Sequence, residues 1–203
     1  MTKALILAAG RGERMRPLTN HTPKPLLEVR GQPLMQWAMR ALVKGGVTDF
    51  IINTAWLGDK IADYFDVGFE GANIRYSHEG RDFGGALETA GGIVRALPML
   101  CETDSDDVFW VLAGDVFAPD FVFSQNAVER FKASCKLAHL WLVPNPEHNL
   151  QGDFGLQVDG LVLNDSGAHG QKHTFSTIAL YRKALFSLPY CDIPAGTPEG
   201  VKA

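Results

Sequence analysis

The sequence predicts a three-layer α/β protein in which helices cover both faces of a mixed, mostly parallel β-sheet. The first observation is that three short apolar runs, at residues 4–9, 50–54 and 108–113, are separated by long stretches of chain. Runs this short and this apolar are typical of strands that are buried on both faces. The second observation is that segments of helical period lie between these runs, which is the alternation found in parallel sheets. A chain of 203 residues is expected to form one domain, residues 1–203.

The elements of the first half follow from their patterns. Pro33 opens an amphipathic helix that Gly45 and Gly46 close. Residues 50–54 are predicted as the second buried strand, and residues 74–77 alternate as a third. Between these two strands a short helix is predicted to carry one face of larger side chains, which are Leu57, Ile61, Tyr64 and Phe65.

A glycine-rich segment follows the third strand. Residues 81–85 are predicted to form a flexible loop, and a helix then runs from about residue 87 to Pro98. Gly91 and Gly92 near the start of this helix each cost about 1 kcal/mol relative to alanine. They indicate either close packing or close approach of the flat ring of a ligand, and the second interpretation is favoured because a polar loop lies beside them.

The strand predicted at residues 108–113 is the most apolar in the chain and ends at Gly114 and Asp115. In open α/β sheets ligands collect outside the carboxyl ends of the strands, so Asp115 and the Gly10 loop are expected to face one crevice. Pro119 and Asp120 are predicted to start the next helix. Asp115 is then not needed as a helix cap, and its carboxylate can bind a divalent cation.

The second half adds an antiparallel portion to the sheet. Residues 137–143 form another apolar run, and residues 173–181 are predicted as a further strand. Asp159 and Gly160 lie between two strand-like segments and predict a β-hairpin. The sheet is therefore expected to be mixed rather than purely parallel.

The loop after the first strand, residues 10–25, has the composition of a polyphosphate site. Gly10 and Gly12 allow a tight turn and close approach to a ligand. Its cationic side chains are Arg11, Arg14, Arg16 and Lys24, and its prolines, Pro17, Pro23 and Pro25, stiffen the segment. The dinucleotide-binding fingerprint does not fit, because Met15 stands where its third glycine should be. The phosphate-loop pattern does not fit either, because no Gly-Lys-Ser/Thr follows Gly10 at the required spacing.

The composition argues against nucleic acid and a membrane as partners. The formal net charge of −4 argues against a nucleic-acid partner, so the cationic loop is expected to serve a small anionic ligand. Three widely spaced cysteines suggest reduced thiols, and no segment approaches the roughly 20 apolar residues of a membrane span. A cytoplasmic protein that contacts no membrane is therefore expected, as a monomer or weak homodimer.

Several motifs together resemble those of the sugar-1-phosphate nucleotidyltransferases. The longest is Gly10-x-Gly12-x-Arg14-x-Arg16-Pro17-Leu18-Thr19 with Pro23-Lys24-Pro25, and Ala113-Gly114-Asp115-Val116 matches the metal-binding segment of that family. The shorter matches are Asn53–Leu57, Leu87–Ile93, Gly152-Asp153-Phe154 and Thr174-Phe175-Ser176.

The resemblance implies a Rossmann-like nucleotide-diphospho-sugar transferase fold, Mg²⁺ as cofactor, and transfer of UMP from UTP to a sugar 1-phosphate. The shorter motifs imply N-acetylmuramic acid 1-phosphate as the sugar, in peptidoglycan recycling. Mannose or glucose 1-phosphate with GTP or dTTP, and a non-catalytic nucleotide-sugar-binding module, remain open alternatives. A nicotinamide oxidoreductase is disfavoured by the missing third glycine.

The resemblance also implies roles for single residues on the nucleotide side. The residues implied to bind the nucleotide are Ala9, Gly10, Gly12, Glu13, Arg14, Lys24, Asn53 and Gly91. Backbone groups of the glycine loop would line the triphosphate, and Arg14 and Lys24 would neutralise its charge. Asn53 and Gly91 would lie near the base.

The catalytic residues implied by the resemblance are Arg14, Lys24 and Asp115, of which Asp115 would hold Mg²⁺. The residues implied on the sugar side are Ala113, Asp153 and Ser176. Two positions depart from the family pattern, because Ala113 stands where asparagine is common and Thr177 where glycine is common.

The C-terminal part of the sequence does not match the second metal-binding aspartate of such enzymes. Asp192 lacks the neighbouring glycine and tryptophan of that motif, and residues 198–203 resemble the start of a helix. The chain is therefore expected to lack a C-terminal segment that carries the second carboxylate.

Overall fold

The computed structural model describes residues 2–103, 105–164 and 171–194, so the C-terminal residues 195–203 lie outside the described part. The strands are β1 (Ala4–Ala8), β2 (Glu28–Val29), β3 (Gln32–Pro33), β4 (Asp49–Thr54), β5 (Asn73–His78), β6 (Val108–Ala113), β7 (Ala138–Val143), β8 (Phe154–Leu156), β9 (Val162–Leu163) and β10 (Lys172–Arg182). The helices are α1 (Leu34–Lys44), α2 (Gly58–Tyr64), α3 (Glu79–Phe83), α4 (Glu88–Leu100) and α5 (Gln125–Ala133).

The main sheet joins a parallel half to an antiparallel half. Its order is β5-β4-β1-β6-β10-β8-β9, with β7 paired to β10. Strands β5, β4, β1 and β6 are all parallel, and β10 runs antiparallel to β6, β7 and β8. In this register Leu7 pairs with Asn53 on one side and with Ala113 on the other. The predicted α/β class and mixed sheet are confirmed.

Side chains along β1 point alternately to the two faces of the sheet, and each face is covered by its own hydrophobic core. Ala4, Ile6 and Ala8 point to the face that α1, α2 and α5 cover. Leu5 points to the opposite face, where it packs with residues of α4 such as Ile93. Because β1 has almost no exposed surface, both faces of the sheet centre are dry, as its short apolar run predicts.

The prediction of a loop at residues 81–85 is wrong. Residues 81–83 belong to the short helix α3, and Gly84 ends it in the left-handed conformation with φ +78°. Asp82 pairs with Arg95 of α4, which holds α3 against the next helix. Gly80 allows α3 to lie close to the residue that follows β4, because a Cβ there would lie 2.7 Å from the carbonyl oxygen of Ala55.

The helix predicted to start at Pro119 and Asp120 begins later. Helix α5 starts at Gln125, and the hydroxyl of its N-cap Ser124 accepts a hydrogen bond from the backbone of Ala127. Pro119 and Asp120 form a turn instead, and the segment that follows is held by aromatic packing, since Phe123 meets the ring of the buried Trp110 at 5.0 Å. Long-range packing here overrides the local start signal.

Two smaller differences concern helix surfaces and ends. Tyr64 of α2 is 45% exposed, whereas Ile61 and Phe65 are buried, so the predicted apolar face of α2 is narrower than expected. Helix α4 continues through Pro98 to Leu100. Among the described residues, none of the helices has the length and apolarity that crossing a bilayer requires.

Candidate active site

A cavity of about 1100 Å³ opens at the carboxyl ends of β1, β4 and β6. The strand order reverses here, because β1 is flanked by β4 on one side and by β6 on the other. This is where an open α/β sheet leaves room for a ligand between its loops. The volume is sufficient for a nucleotide-sized molecule.

Nine of the twelve predicted site residues line this cavity. The loop after β1 contributes Ala9, Gly10, Gly12, Glu13, Arg14 and Lys24. The ends of β4 and β6 contribute Asn53, Ala113 and Asp115. The fold thus brings together residues that are up to 106 positions apart, from Ala9 to Asp115, although their individual roles stay predictions.

The glycine loop is rigid because its backbone is used internally. Gly12 adopts the left-handed conformation with φ +62°, and a Cβ there would lie 2.9 Å from Cγ2 of Thr19. The buried Thr19 hydroxyl donates to the carbonyl oxygen of Gly12 at 2.8 Å. A side chain at position 12 would therefore be both strained and obstructed.

Trp56 holds this loop from outside, a role that the sequence patterns did not indicate. Its indole Nε1 donates to the carbonyl oxygen of Thr19 at 3.0 Å. The guanidinium of Arg11 lies 4.4 Å from the centre of the Trp56 ring, a cation–π distance. Arg11 is therefore engaged in holding the loop.

Lys24 and Asp115 form an ion pair in the cavity. Their side chains are each 28% exposed, so solvent screens the attraction and the pair contributes little to stability. Arg14 is exposed and makes no hydrogen bond or ion pair with any residue that the structure describes. The cavity therefore presents an ion pair and the exposed guanidinium of Arg14, both of which an anionic ligand and a metal ion can rearrange.

A buried network lies behind the cavity wall. The amide of Asn53 accepts a hydrogen bond from the backbone of Ala8 and donates to Glu79, which also accepts from the backbone of Leu87. Burial raises the pKa of Glu79, and its two hydrogen bonds act in the opposite direction. Sequence reasoning missed Glu79, because an isolated glutamate in a polar segment has no local pattern that marks it as buried.

The same network supports the packing interpretation for Gly92. A Cβ there would lie 2.7 Å from Oε1 of Glu79 and 2.8 Å from Nδ2 of Asn53, so only glycine fits. Gly91 is buried within α4, and the adjacent cavity wall is formed by Ala86, Glu88 and Thr89.

The opposite wall comes from the antiparallel half of the sheet. The described residues that line it include His148, Phe175, Thr177 and Tyr181. Asp153 and Ser176, predicted on the sugar side, do not line the cavity, since each is engaged with the backbone. Asp153 accepts from the N–H of Phe175, and the Ser176 hydroxyl donates to the carbonyl oxygen of Trp141. The alternation of side chains along a strand could have indicated this wall, because it places Phe175 and Thr177 of β10 on the opposite face from Ser176.

Thr177 is strained where it meets the cavity. Its φ is +63°, a left-handed conformation that β-branched residues rarely adopt. Its buried hydroxyl makes no hydrogen bond with the described residues. The regular pairing of β10 with β7 also shifts between Phe175 and Ala179. Strain of this kind persists where the surroundings impose it, commonly at functional sites.

We expect Thr177→Gly to raise the free energy of unfolding by about 1 kcal/mol. Glycine adopts positive φ without the steric cost, which is about 1–2 kcal/mol for other residues, but it loses more entropy on folding. Chemical denaturation measures the change. Thr177→Ala is the matched control, because it removes the hydroxyl and keeps the Cβ. A less stable Thr177→Gly protein would show that the backbone here is not strained.

The described residues contain no cluster of three or more histidine, cysteine, aspartate or glutamate side chains suited to a metal. Asp115 nevertheless fits a hard cation such as Mg²⁺, because its carboxylate is partly exposed in the cavity. Mg²⁺ is commonly held by one or two carboxylates together with substrate phosphates and water. The donor set is therefore compatible with a metal that arrives with a phosphate ligand.

Comparison with known proteins agrees with this geometry. A family model described as nucleotidyl transferase matches residues 3–158. The N-acetylmuramate alpha-1-phosphate uridylyltransferase of Neisseria meningitidis serogroup B is 47% identical over 187 residues, which cover 91% of this chain and 77% of that protein. The UTP–glucose-1-phosphate uridylyltransferase of Synechocystis sp. is 37% identical over 119 residues, or 56% of this chain. The aligned residues make up only 30% of the length of the Synechocystis protein.

Solved structures show the same fold at low sequence identity. The UTP-bound UGPase from Acinetobacter baumannii aligns with a TM-score of 0.72 and 19% identity, over 100% of this chain and 81% of that chain. The CTP:phosphocholine cytidylyltransferase LicC from Streptococcus pneumoniae aligns with a TM-score of 0.60 and 22% identity, over 89% of this chain and 71% of that chain.

Proposed function

This chain belongs to the nucleotidyl transferase family, and we propose that it transfers UMP from UTP to N-acetylmuramic acid 1-phosphate. The products are the UDP-sugar and pyrophosphate, a step that serves peptidoglycan recycling. The observation that carries the proposal is the joint placement of the glycine loop, Lys24 and Asp115 around one cavity at the carboxyl ends of the parallel strands. The identity of 47% to a relative of that printed activity supports the choice of UTP and of this sugar.

The reaction needs alignment of two anions more than it needs acid–base catalysis. An oxygen of the sugar 1-phosphate attacks the α-phosphorus of UTP, a new P–O bond forms, and the bond to the β-phosphate breaks. The attacking phosphate is already ionised, so no side chain has to remove a proton from it. The protein contributes by holding the two substrates in line and by stabilising the charge that develops.

The residues around the cavity suit these tasks. Backbone N–H groups of the Gly10–Gly12 turn can face phosphate oxygens, because a Cβ at Gly10 would have no atom within 4 Å and the space beside it is open. Arg14 can bind two oxygens at once through its planar guanidinium, whereas Lys24 acts as a compact point charge. When the triphosphate binds, Lys24 can exchange its contact with Asp115 for contact with phosphate.

Asp115 would hold Mg²⁺, together with phosphate oxygens of the substrate. When bound, the metal ion supplies charge neutralisation and orientation of the phosphates. Release of Lys24 from Asp115 would leave the carboxylate free for the cation and the ammonium free for the anion. Asp115 would then bind the metal ion, and Lys24 would bind the triphosphate.

A pyrophosphate-release assay tests the proposal. The purified chain is supplied with Mg²⁺, each of the four nucleoside triphosphates, and a panel of sugar 1-phosphates. We expect kcat/KM to be highest for UTP with N-acetylmuramic acid 1-phosphate. A preference for mannose or glucose 1-phosphate would place the chain in another branch of the family. Nucleotide binding without turnover of any sugar would indicate a non-catalytic module.

A further inference from the structure

One buried carboxylate connects two walls of the cavity. Glu79 is 0% exposed. Its Oε1 accepts a hydrogen bond from Nδ2 of Asn53 at 2.8 Å, and its Oε2 accepts from the backbone N–H of Leu87 at 2.7 Å. The Oδ1 of Asn53 accepts from the backbone N–H of Ala8 at 2.7 Å. Three consecutive hydrogen bonds therefore lead from the end of β1 to the start of α4.

The two ends of this chain of hydrogen bonds limit which side chains can complete it. The N–H groups of Ala8 and Leu87 can only donate, so both terminal positions need an acceptor. An amide has one acceptor oxygen and one donor NH₂ group, and a carboxylate has two acceptor oxygens. One amide and one carboxylate therefore satisfy all three bonds, whereas two amides always leave two donors facing each other. A buried donor without a partner costs about 1–3 kcal/mol.

Both anchoring points lie directly beside cavity-lining segments. Ala8 precedes Ala9 and Gly10 of the glycine loop, and Leu87 lies between Ala86 and Glu88. Glu88 has a φ of +57°, an unfavourable conformation that its surroundings must support. Gly92 leaves no free space at the carboxylate, because a Cβ there would lie 2.7 Å from Oε1. The carboxylate therefore has one arrangement, and both walls are fixed to it.

We propose that Glu79 is a positioning residue for the nucleotide, an assignment that rests on the proposed function. It holds the glycine loop and the wall of residues 86–89 at the separation that the nucleoside triphosphate requires. Glu79 itself is buried behind these segments and acts through them. The opposite wall, which includes Phe175 and Thr177 of β10, is the one that we assign to the sugar, and its described residues make none of the three hydrogen bonds of this network.

A double-mutant cycle tests this proposal, using Glu79→Gln, Asn53→Asp and both changes together. The two substitutions exchange the amide and the carboxylate. In the double variant the new carboxylate can accept from Ala8 and from the new amide, whose oxygen can accept from Leu87. Every donor then has an acceptor again, with the hydrogen bond between positions 53 and 79 reversed, and the total charge is restored. Each single variant instead has two donors in contact or two carboxylates in contact.

We expect each single variant to raise the Kd for UTP about tenfold or more, while the KM for the sugar 1-phosphate changes less than about threefold. The double variant should recover UTP binding to within about threefold of the wild type. Isothermal titration with UTP and steady-state kinetics provide these values. Glu129→Gln is the matched control, because Glu129 is an exposed glutamate of α5 that does not line the cavity.

Three results would overturn the proposal: a folded Glu79→Gln protein that binds UTP as the wild type does, equal losses on the sugar side, or a double variant no better than the single variants. If Glu79→Gln does not fold, recovery of folding and UTP binding in the double variant decides the question. Failure of the proposed function is recognised separately, because the wild-type protein would then bind UTP without transferring UMP, or would not bind UTP.

Discussion

Asp115→Asn is expected to lower kcat by about 10²–10³-fold or more, with the fold intact. The change keeps the size of the side chain and removes the one carboxylate that the end of β6 presents to the cavity. It leaves Lys24 without its ion-pair partner, but that pair is partly exposed and contributes little to stability. Turnover is measured at several Mg²⁺ concentrations, including saturation, and circular dichroism checks the fold.

The control for this variant is Asp120→Asn. Asp120 follows the same strand, is exposed, and does not line the cavity. We expect it to retain wild-type turnover. Near-normal turnover of Asp115→Asn at saturating Mg²⁺ would contradict the assignment of Asp115 as the metal ligand.

Lys24→Met is expected to lower kcat by about 10²–10³-fold, with a much smaller effect on the KM for the sugar 1-phosphate. Methionine preserves most of the volume of the lysine side chain and removes its charge. The loss should appear mainly in the chemical step, because charge develops on the phosphates of UTP as pyrophosphate leaves. Steady-state kinetics with varied UTP and varied sugar 1-phosphate separates the two effects.

Lys44→Met is the control for Lys24→Met, since Lys44 is exposed at the end of α1 and lies away from the cavity. Arg14→Ala should also slow the chemical step, because Arg14 is a second cation beside the same loop. If Lys24→Met altered only the KM for the sugar, Lys24 would be a sugar-binding residue and the assignment of its charge to the triphosphate would be wrong.

The central strands were predictable because their physical requirements are local. The apolar runs at β1 and β6 are too short for helices and too apolar for exposed strands, and both are buried as expected. Helix α1 is likewise marked by Pro33 before it and glycine after it. The resemblance to the sugar-1-phosphate nucleotidyltransferases is confirmed by the family match, because the glycine loop and the segment of Asp115 are long and specific patterns.

The remaining parts depend on contacts between distant residues, and a single sequence does not display them. Glu79 is buried because Asn53, 26 positions earlier, and Leu87 bind it. The left-handed conformation of Thr177 lies where the pairing of β10 with β7 shifts its register. Residues 81–83 of the predicted loop are helical, and Asp82 pairs there with Arg95 on the next helix. None of these partners is adjacent in the chain.

Transfer of the α-phosphate label is the most direct test of the proposed reaction. The chain is incubated with UTP labelled at the α-phosphorus, N-acetylmuramic acid 1-phosphate and Mg²⁺, and the products are separated and counted. We expect the label to appear in UDP-N-acetylmuramic acid, with one pyrophosphate released for each labelled product, and only when the sugar phosphate is present. Label that stays in UTP, or that appears in UMP or UDP independently of the sugar, would contradict the assignment of this cavity as a uridylyltransferase site.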